Sequence, residues 1–212
     1  MLLESVVLQL DPAPREPAER FTLYVEGPRD RSILRAWASR LMPAQVRPLL
    51  RSSVILGGRQ PGRALGHFRR ISRGGRAVCV LDRDDGEAAL PSAVDEGIEF
   101  FTWSRRHIES YLMVPAAIRR ALGLPEGDRR IERIFEAELP APGDECGWRA
   151  LDAKRILGPK GALPRVLGRP LPLARIARAT RESELHADVH ALFALLRSEL
   201  GARLVETIRL DR

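Results

Sequence analysis

Five apolar residues lead directly into a group of acids in AVCVLDRDDGE, residues 77–87. The apolar run does not alternate with polar residues, which is typical of a central parallel strand buried on both faces. Asp82 and Asp84 follow it at a spacing of two, so an extended backbone would point both side chains to the same side. Ligands of open parallel sheets bind beyond the carboxyl ends of the strands. The segment therefore predicts a strand with a site at its end.

A second apolar run ends in the same way earlier in the chain. FTLYVEGPRD, residues 21–30, places Glu26 directly after the run and Asp30 in the first turn of the helix that follows. Further strand-like runs lie at 54–56 and 98–103, and segments with helical spacing of apolar residues separate the first three runs. This order predicts an α/β fold with a mainly parallel four-stranded sheet flanked by helices.

The chain becomes helical after the fourth run. Helical spacing begins at Pro115 and again near residue 129, residues 139–180 are rich in Pro and Gly, and residues 185–200 predict an amphipathic helix. We expect three parts, namely an N-terminal strand and linker at 1–20, an α/β core at 21–125 and a helical extension at 126–212.

The composition, with 44% hydrophobic and 30% charged residues, is that of an ordinary globular protein. No run approaches the ~20 apolar residues of a membrane span. Two cysteines, Cys79 and Cys146, make neither a disulfide framework nor a zinc site, which favours a reducing cytoplasm.

The net charge of +7 favours a nucleic-acid partner, because basic surfaces release condensed counterions on binding. A compositional bias toward Arg also accounts for this charge.

Carboxylates at the ends of two parallel strands can meet although they are far apart in the chain. Glu26 and Asp82 would then lie at one edge of the sheet. Several carboxylates at one edge repel each other and raise each other's pKa unless a cation neutralises them. Hard oxygen ligands of this kind suit Mg²⁺ or Mn²⁺.

These motifs resemble the TOPRIM fold of topoisomerases, primases and several nucleases. The pattern of that fold is a strand-ending Glu, as in LYVEGPRD, and a later Asp-x-Asp, as in VLDRDDGE. The continuation IEFFTWSRRHIESYL, with an acid before a Tyr-Leu pair, is similar to the TOPRIM domain of the overcoming-lysogenization-defect (OLD) nucleases. So is the Gly-Pro-Lys-Gly at 158–161. The resemblance covers about residues 20–170 and makes 21–125 the TOPRIM core.

The resemblance implies metal-dependent cleavage of DNA by two divalent ions, Mg²⁺ or Mn²⁺, about 4 Å apart. It implies a lysine that neutralises the transition state, with Lys160 the better match and Lys154 a competitor; these are the two lysines of the chain. It also implies an ATPase domain or subunit outside this chain. This chain would then be either the carboxyl-terminal region of a longer ATPase-nuclease or a stand-alone relative. The metal ligands carried over from the family are Glu26, Asp30, Asp82, Asp84 and Glu109.

Each acid taken alone has an ordinary interpretation. Asp30 suits a helix start, Asp84 suits a turn, and Glu109 suits a solvated helix face. Their joint occurrence favours a metal site. Two pairs of arginines are candidates for contacts to DNA phosphates: Arg69 and Arg70, and Arg105 and Arg106. Each pair is equally typical of an ordinary solvent-exposed surface.

Two other functions use the same acids. One is a non-catalytic nucleic-acid-binding or assembly module that holds a structural cation. The other is a primase-like nucleotidyl transferase, which the absence of a recognisable zinc-binding or helicase-interacting segment makes less favoured.

Overall fold

The computed structural model describes residues 21–71, 74–84, 90–91 and 96–210, with side chains described as far as residue 200. Within these residues four strands form one parallel sheet in the order β2-β1-β3-β4. The predicted N-terminal strand and linker at 1–20 lie outside the described residues. The strands are β1 (Thr22–Val25), β2 (Ser53–Ile55), β3 (Ala77–Leu81) and β4 (Ile98–Thr102).

Of the three helices described before β3, the first and the third lie where the apolar spacing predicts them, and the short second one was not predicted. The first three are α1 (Pro28–Leu41), α2 (Val46–Arg51) and α3 (Pro61–Ile71). After β4 the chain forms a 3₁₀ helix (Ile108–Leu112), α4 (Pro115–Leu122), α5 (Arg130–Glu138), α6 (Glu145–Ala150), α7 (Ala153–Leu157), α8 (Ala162–Leu167), α9 (Leu173–Ala179), a 3₁₀ helix (Glu182–Glu184) and α10 (Ala187–Leu210). The fold is therefore the expected α/β architecture with an added helical part, consistent with a TOPRIM-like fold.

The central strands are buried on both faces, as the unbroken apolar run of β3 predicts. Leu23 and Val80 belong to a large hydrophobic core that includes α1, whereas Tyr24 and Cys79 belong to a smaller core against α3. Successive side chains of a strand point to opposite faces, so this division follows the period of two. All five residues of β3 are buried.

The C-terminal helices complete the larger core. Ile131 of α5, Ile176 of α9 and Phe193 of α10 belong to the same cluster as the sheet residues, and α9 packs against α1 and α4. A fully buried side chain of this size contributes about 1.5–3 kcal/mol to folding. The extension is therefore part of the main core. In the described part of the chain, no helix combines the length and apolarity that crossing a membrane requires.

Candidate metal centre

The side chain of Glu26 connects the ends of the two central strands. Its Oε1 accepts a hydrogen bond of 2.8 Å from the backbone N–H of Asp82. Because β1 and β3 are parallel neighbours, Glu26 and Asp82 come to the same edge. Burial raises the pKa of Glu26 to about 7; the hydrogen bond from Asp82 opposes this, and the charges of Asp82, Asp84 and Asp30 add to the increase.

Asp30 turns back toward the same edge from the first turn of α1. Its Oδ2 accepts a hydrogen bond of 2.7 Å from the N–H of Gly27, which caps the helix. Burial and the charge of Asp82 raise the pKa of Asp30 to about 6, Glu109 adds to this, and Gly27 and Lys154 work against it. Asp30 therefore caps the helix and also interacts electrostatically with two other acids.

Asp82 is 7% exposed and is held by groups from three parts of the chain. Its Oδ1 accepts a hydrogen bond of 2.9 Å from the N–H of Ile108. Its Oδ2 lies 3.3 Å from Nδ1 of His107 and 3.7 Å from Nζ of Lys154. Arg59 donates to the backbone carbonyl of Asp82, at 2.7 Å, rather than to the carboxylate.

Asp84 reaches the site through a backbone conformation that differs from the predicted extended one. Its backbone φ is +52°, so the chain does not stay extended through the Asp-x-Asp pair. The Asp84 N–H donates to the carbonyl of Arg106 at 3.3 Å, and Oδ1 lies 3.9 Å from Nδ1 of His107. Asp is one of the few residues that adopts this left-handed conformation at moderate strain, and such strain is frequent at functional sites.

His107 is a site residue that the sequence analysis did not select. Its ring, 5% exposed, lies between the Asp82 and Asp84 carboxylates on one side and Oδ1 of Asp152, 3.5 Å from Nε2, on the other. One ligand atom each from Asp82, Asp84 and His107 lie within 4.8 Å of one another, a spacing that could hold a metal ion. Asp152 also caps α7 by accepting from the N–H of Lys154 at 3.0 Å.

Glu109 is buried, at 2% exposure, which the interpretation as a solvated helix residue did not anticipate. Arg29 contacts its Oε1 at 3.3 Å. Its Oε2 is buried and has no hydrogen-bond partner within the described residues. A buried carboxylate oxygen without a donor is unfavourable, so this oxygen is suited to contact a cation or a water molecule.

The two lysines have different positions. Lys154 lies 3.7 Å from Asp82, whereas Lys160 is exposed and no ion pair of Lys160 with a described residue is seen. The glycines of the Gly-Pro-Lys-Gly turn allow close backbone contact: a Cβ on Gly158 or Gly161 would overlap carbonyl groups of α7. The motif thus has a structural explanation that does not involve a catalytic lysine. The assignment of Lys160 or Lys154 as catalytic stays a prediction.

Arg69 and Arg70 lie away from these acids. Both are exposed and belong to the last turn of α3, which leads toward the start of β3. Arg69 forms a two-bonded ion pair with Glu96, just before β4, with distances of 2.7 and 2.6 Å. They are therefore at the amino-end edge of the sheet, opposite the carboxylates.

Arg105 and Arg106 lie in the loop that follows β4, close to the acids. The Arg105 guanidinium stacks over the ring of Trp148, 4.2 Å from its centroid, and donates to the carbonyl of Ser110 at 3.3 Å. The Arg106 carbonyl accepts the N–H groups of Arg83 and Asp84. These contacts hold the loop in place, and a role in DNA binding stays a prediction for all four arginines.

The structure therefore brings five predicted acids, here called the acidic cluster, to one region. Burial and the neighbouring carboxylates raise the pKa values of Glu26 and Asp30, and among the described residues Oε2 of Glu109 has no hydrogen-bond partner. A divalent cation, held by hard carboxylate oxygens, fits this donor set. The cluster consists of Glu26, Asp30, Asp82, Asp84 and Glu109.

Comparisons with protein-family models, with curated proteins and with solved structures found no match. The chemistry of the acidic cluster is therefore the basis for assigning a function.

Proposed function

We propose that this chain is a Mg²⁺- or Mn²⁺-dependent nuclease that cleaves phosphodiester bonds of DNA at the acidic cluster. The observation that carries the proposal is the meeting of Glu26 and Asp82 at the ends of adjacent parallel strands. Within the described residues, the Asp82 carboxylate lies at ion-pair distance from Lys154, at 3.7 Å, and from His107, at 3.3 Å.

The residues that would hold divalent ions are the members of the acidic cluster. Bound ions of this kind activate a water molecule and stabilise the leaving oxygen of a phosphodiester. The protein positions its own groups for this: the backbone N–H groups of Asp82 and Ile108 fix the carboxylates of Glu26 and Asp82. Rigid ligands keep a site in its working geometry.

Lys154 places its ammonium 3.7 Å from the Asp82 carboxylate, whereas Arg59 contacts the backbone carbonyl of Asp82. The Lys154 side chain is about half-exposed, so its ammonium can reach a substrate as well as Asp82. A charge placed where negative charge develops stabilises the transition state of phosphoryl transfer. We therefore favour Lys154 over Lys160 as the catalytic lysine.

DNA as the substrate agrees with the net charge of +7. A basic protein attracts the phosphate backbone over distances near the Debye length, about 8 Å at physiological salt. Arg29 contacts the Glu109 carboxylate and Arg59 contacts the backbone carbonyl of Asp82, so both guanidinium groups lie next to the acidic cluster.

Nicking of a supercoiled plasmid tests the proposal. The wild type is expected to nick in Mn²⁺ or Mg²⁺ and to stop in EDTA, and Asp82→Asn is expected to be inactive. Glu138→Gln, at an exposed position on α5, is the matched control and should nick as the wild type does.

Two results would contradict a nuclease. A pure wild-type protein that binds DNA and divalent ions but leaves the plasmid intact is a binding or assembly module. Incorporation of nucleotides on a primed or unprimed template, without cleavage, indicates a nucleotidyl transferase.

A further inference from the structure

The ring of His107 has carboxylates on both sides. Nδ1 lies 3.3 Å from Asp82 and 3.9 Å from Asp84, and Nε2 lies 3.5 Å from Asp152. Buried histidines more often have a carbonyl or hydroxyl partner and a simple packing role. Three carboxylates around one buried ring are a different environment, and they need an explanation.

The arrangement is that of a metal-bound histidine with its supporting carboxylate. A histidine ligand binds the metal through one nitrogen and donates the other N–H to a carboxylate, which fixes the ring. In this chain Asp152 lies 3.5 Å from Nε2 and is anchored at the start of α7. Nδ1 lies at hydrogen-bond distance from Asp82, 3.3 Å, and a metal ion among His107, Asp82 and Asp84 would take the place of the hydrogen that Nδ1 and Asp82 share.

We infer that His107 Nδ1, Asp82 and Asp84 together ligate a transition-metal ion, and that Asp152 is a positioning residue for His107. The inference rests on the proposed function and deepens it, because it adds a nitrogen ligand to the acidic cluster. Imidazole favours first-row transition ions over Mg²⁺, so the site should prefer Mn²⁺ to Mg²⁺.

A neighbouring group provides a second, separate observation. Glu109 follows His107 by two residues, and its buried Oε2 has no hydrogen-bond partner among the described residues. The same short segment also donates the Ile108 N–H to Asp82. The segment from 107 to 109 therefore contributes a ring nitrogen and a backbone donor to Asp82, and its Glu109 carboxylate, paired with Arg29 through Oε1, interacts electrostatically with Asp30. That combination suits a cation better than a packing role.

Pulsed electron paramagnetic resonance on the Mn²⁺-loaded full chain tests the ligation directly. Electron spin echo modulation should show ¹⁴N coupling from a directly bound imidazole, and labelling the histidines with ¹⁵N should change the coupling to the ¹⁵N pattern. Mn²⁺ that binds without nitrogen coupling, or fails to bind at all, would overturn the inference. This measurement uses the wild type and so does not depend on how a variant folds.

Variants identify which histidine is responsible. His107→Ala should remove the nitrogen coupling and weaken Mn²⁺ binding by at least about tenfold, whereas the control His190→Ala on α10 should leave both unchanged. Asp152→Asn should keep the nitrogen coupling but weaken Mn²⁺ binding about 10-fold, the usual cost of losing a carboxylate that orients a histidine ligand. Persistence of the coupling in His107→Ala would refute the assignment.

Competition between Mg²⁺ and Mn²⁺ checks the predicted preference. The wild type should need a large excess of Mg²⁺ to displace Mn²⁺, and His107→Ala should need a much smaller excess. Equal displacement in both proteins would contradict a nitrogen ligand.

Failure of this inference and failure of the proposed function give different results. Plasmid nicking with Mn²⁺ bound but without nitrogen coupling leaves the nuclease intact and removes His107 from the ligands. Nitrogen coupling without nicking or cleavage leaves the metal site intact and removes the nuclease.

Discussion

Replacing Glu26 by Gln is expected to stabilise the metal-free protein at pH 8. Burial and neighbouring carboxylates raise the pKa of Glu26 from its usual 4.5 to about 7. The unfolded chain ionises near the usual value, so the free energy of unfolding falls as pH rises from about 4.5 through about 7 and is lowest above that. Gln carries no charge, and its Oε1 can still accept the Asp82 N–H.

The size of the effect follows from the two pKa values. Their difference corresponds to about 3 kcal/mol for a fully buried group. Glu26 is only about half-buried, and solvent screening reduces this to about 1 kcal/mol. At pH 5 the gain should fall to about a quarter of its value at pH 8.

Urea unfolding in EDTA measures these differences. The Gln variant should be more stable than the wild type at pH 8, and Glu138→Gln, exposed on α5, should match the wild type at both pH values. Adding Mn²⁺ should reverse the order, because an ion at 100 times its dissociation constant adds about 2.7 kcal/mol to a protein that binds it. A Gln variant that is less stable at pH 8, or equally stabilised at both pH values, would refute the cost of ionising the buried Glu26 carboxyl.

The remaining predictions concern activity and packing. Lys154→Ala should lower the plasmid-nicking rate by about 10²–10³, and Lys160→Ala should lower it far less; equal losses would contradict the choice of Lys154. Gly161→Ala should lower the free energy of unfolding by about 2 kcal/mol, because its Cβ would lie 2.5 Å from a carbonyl oxygen of α7, whereas Gly62→Ala in α3 meets open space and should raise it by about 0.5–1 kcal/mol. Asp188→Asn should destabilise the fold by about 2 kcal/mol in urea, because that carboxylate accepts two hydrogen bonds from Ser104 and one from the Tyr111 hydroxyl, which tie α10 to the segment after β4.

The α/β core could be predicted because its signals are strong and local. The unbroken apolar run of residues 77–81 forms β3 with the same bounds. The meeting of Glu26 and Asp82 follows from one topological rule, since carboxyl ends of neighbouring parallel strands share an edge. Helices α1, α4 and α5 show apolar spacing over two turns or more.

The helices between residues 145 and 179 could not be predicted in this way. Each of α6 to α9 has seven residues or fewer, so it contains at most about two turns of periodicity. Their stability comes from tertiary contacts, such as Ile156 and Leu163 in the large core. Pro and Gly in this region mark the ends of short helices rather than an irregular loop.

His107 and Asp152 could not be selected from the sequence because they meet only through the fold. A lone His in a basic loop and an Asp at a helix start are both ordinary in sequence. The sequence does hold one signal for each: His107 directly precedes the segment that supplies Glu109, and Asp152 lies two residues before Lys154. Neither signal indicates a ligand until the distances between the side chains are known.

Asp152, at the start of α7, and Lys154, within α7, belong to the helical extension but lie at the site of the α/β core. The core therefore cannot be separated from the extension at residue 125 without losing part of the site. A fragment ending there would lose both side chains and would expose the apolar surfaces of α1 and α4 that α9 covers. Loss of packing among the C-terminal helices should therefore remove Asp152 and Lys154 from the site around Asp82, even when all four strands stay folded. Folding of the helical extension and assembly of the site are therefore coupled, because translation must pass residue 154 before Asp82 and His107 acquire these two partners.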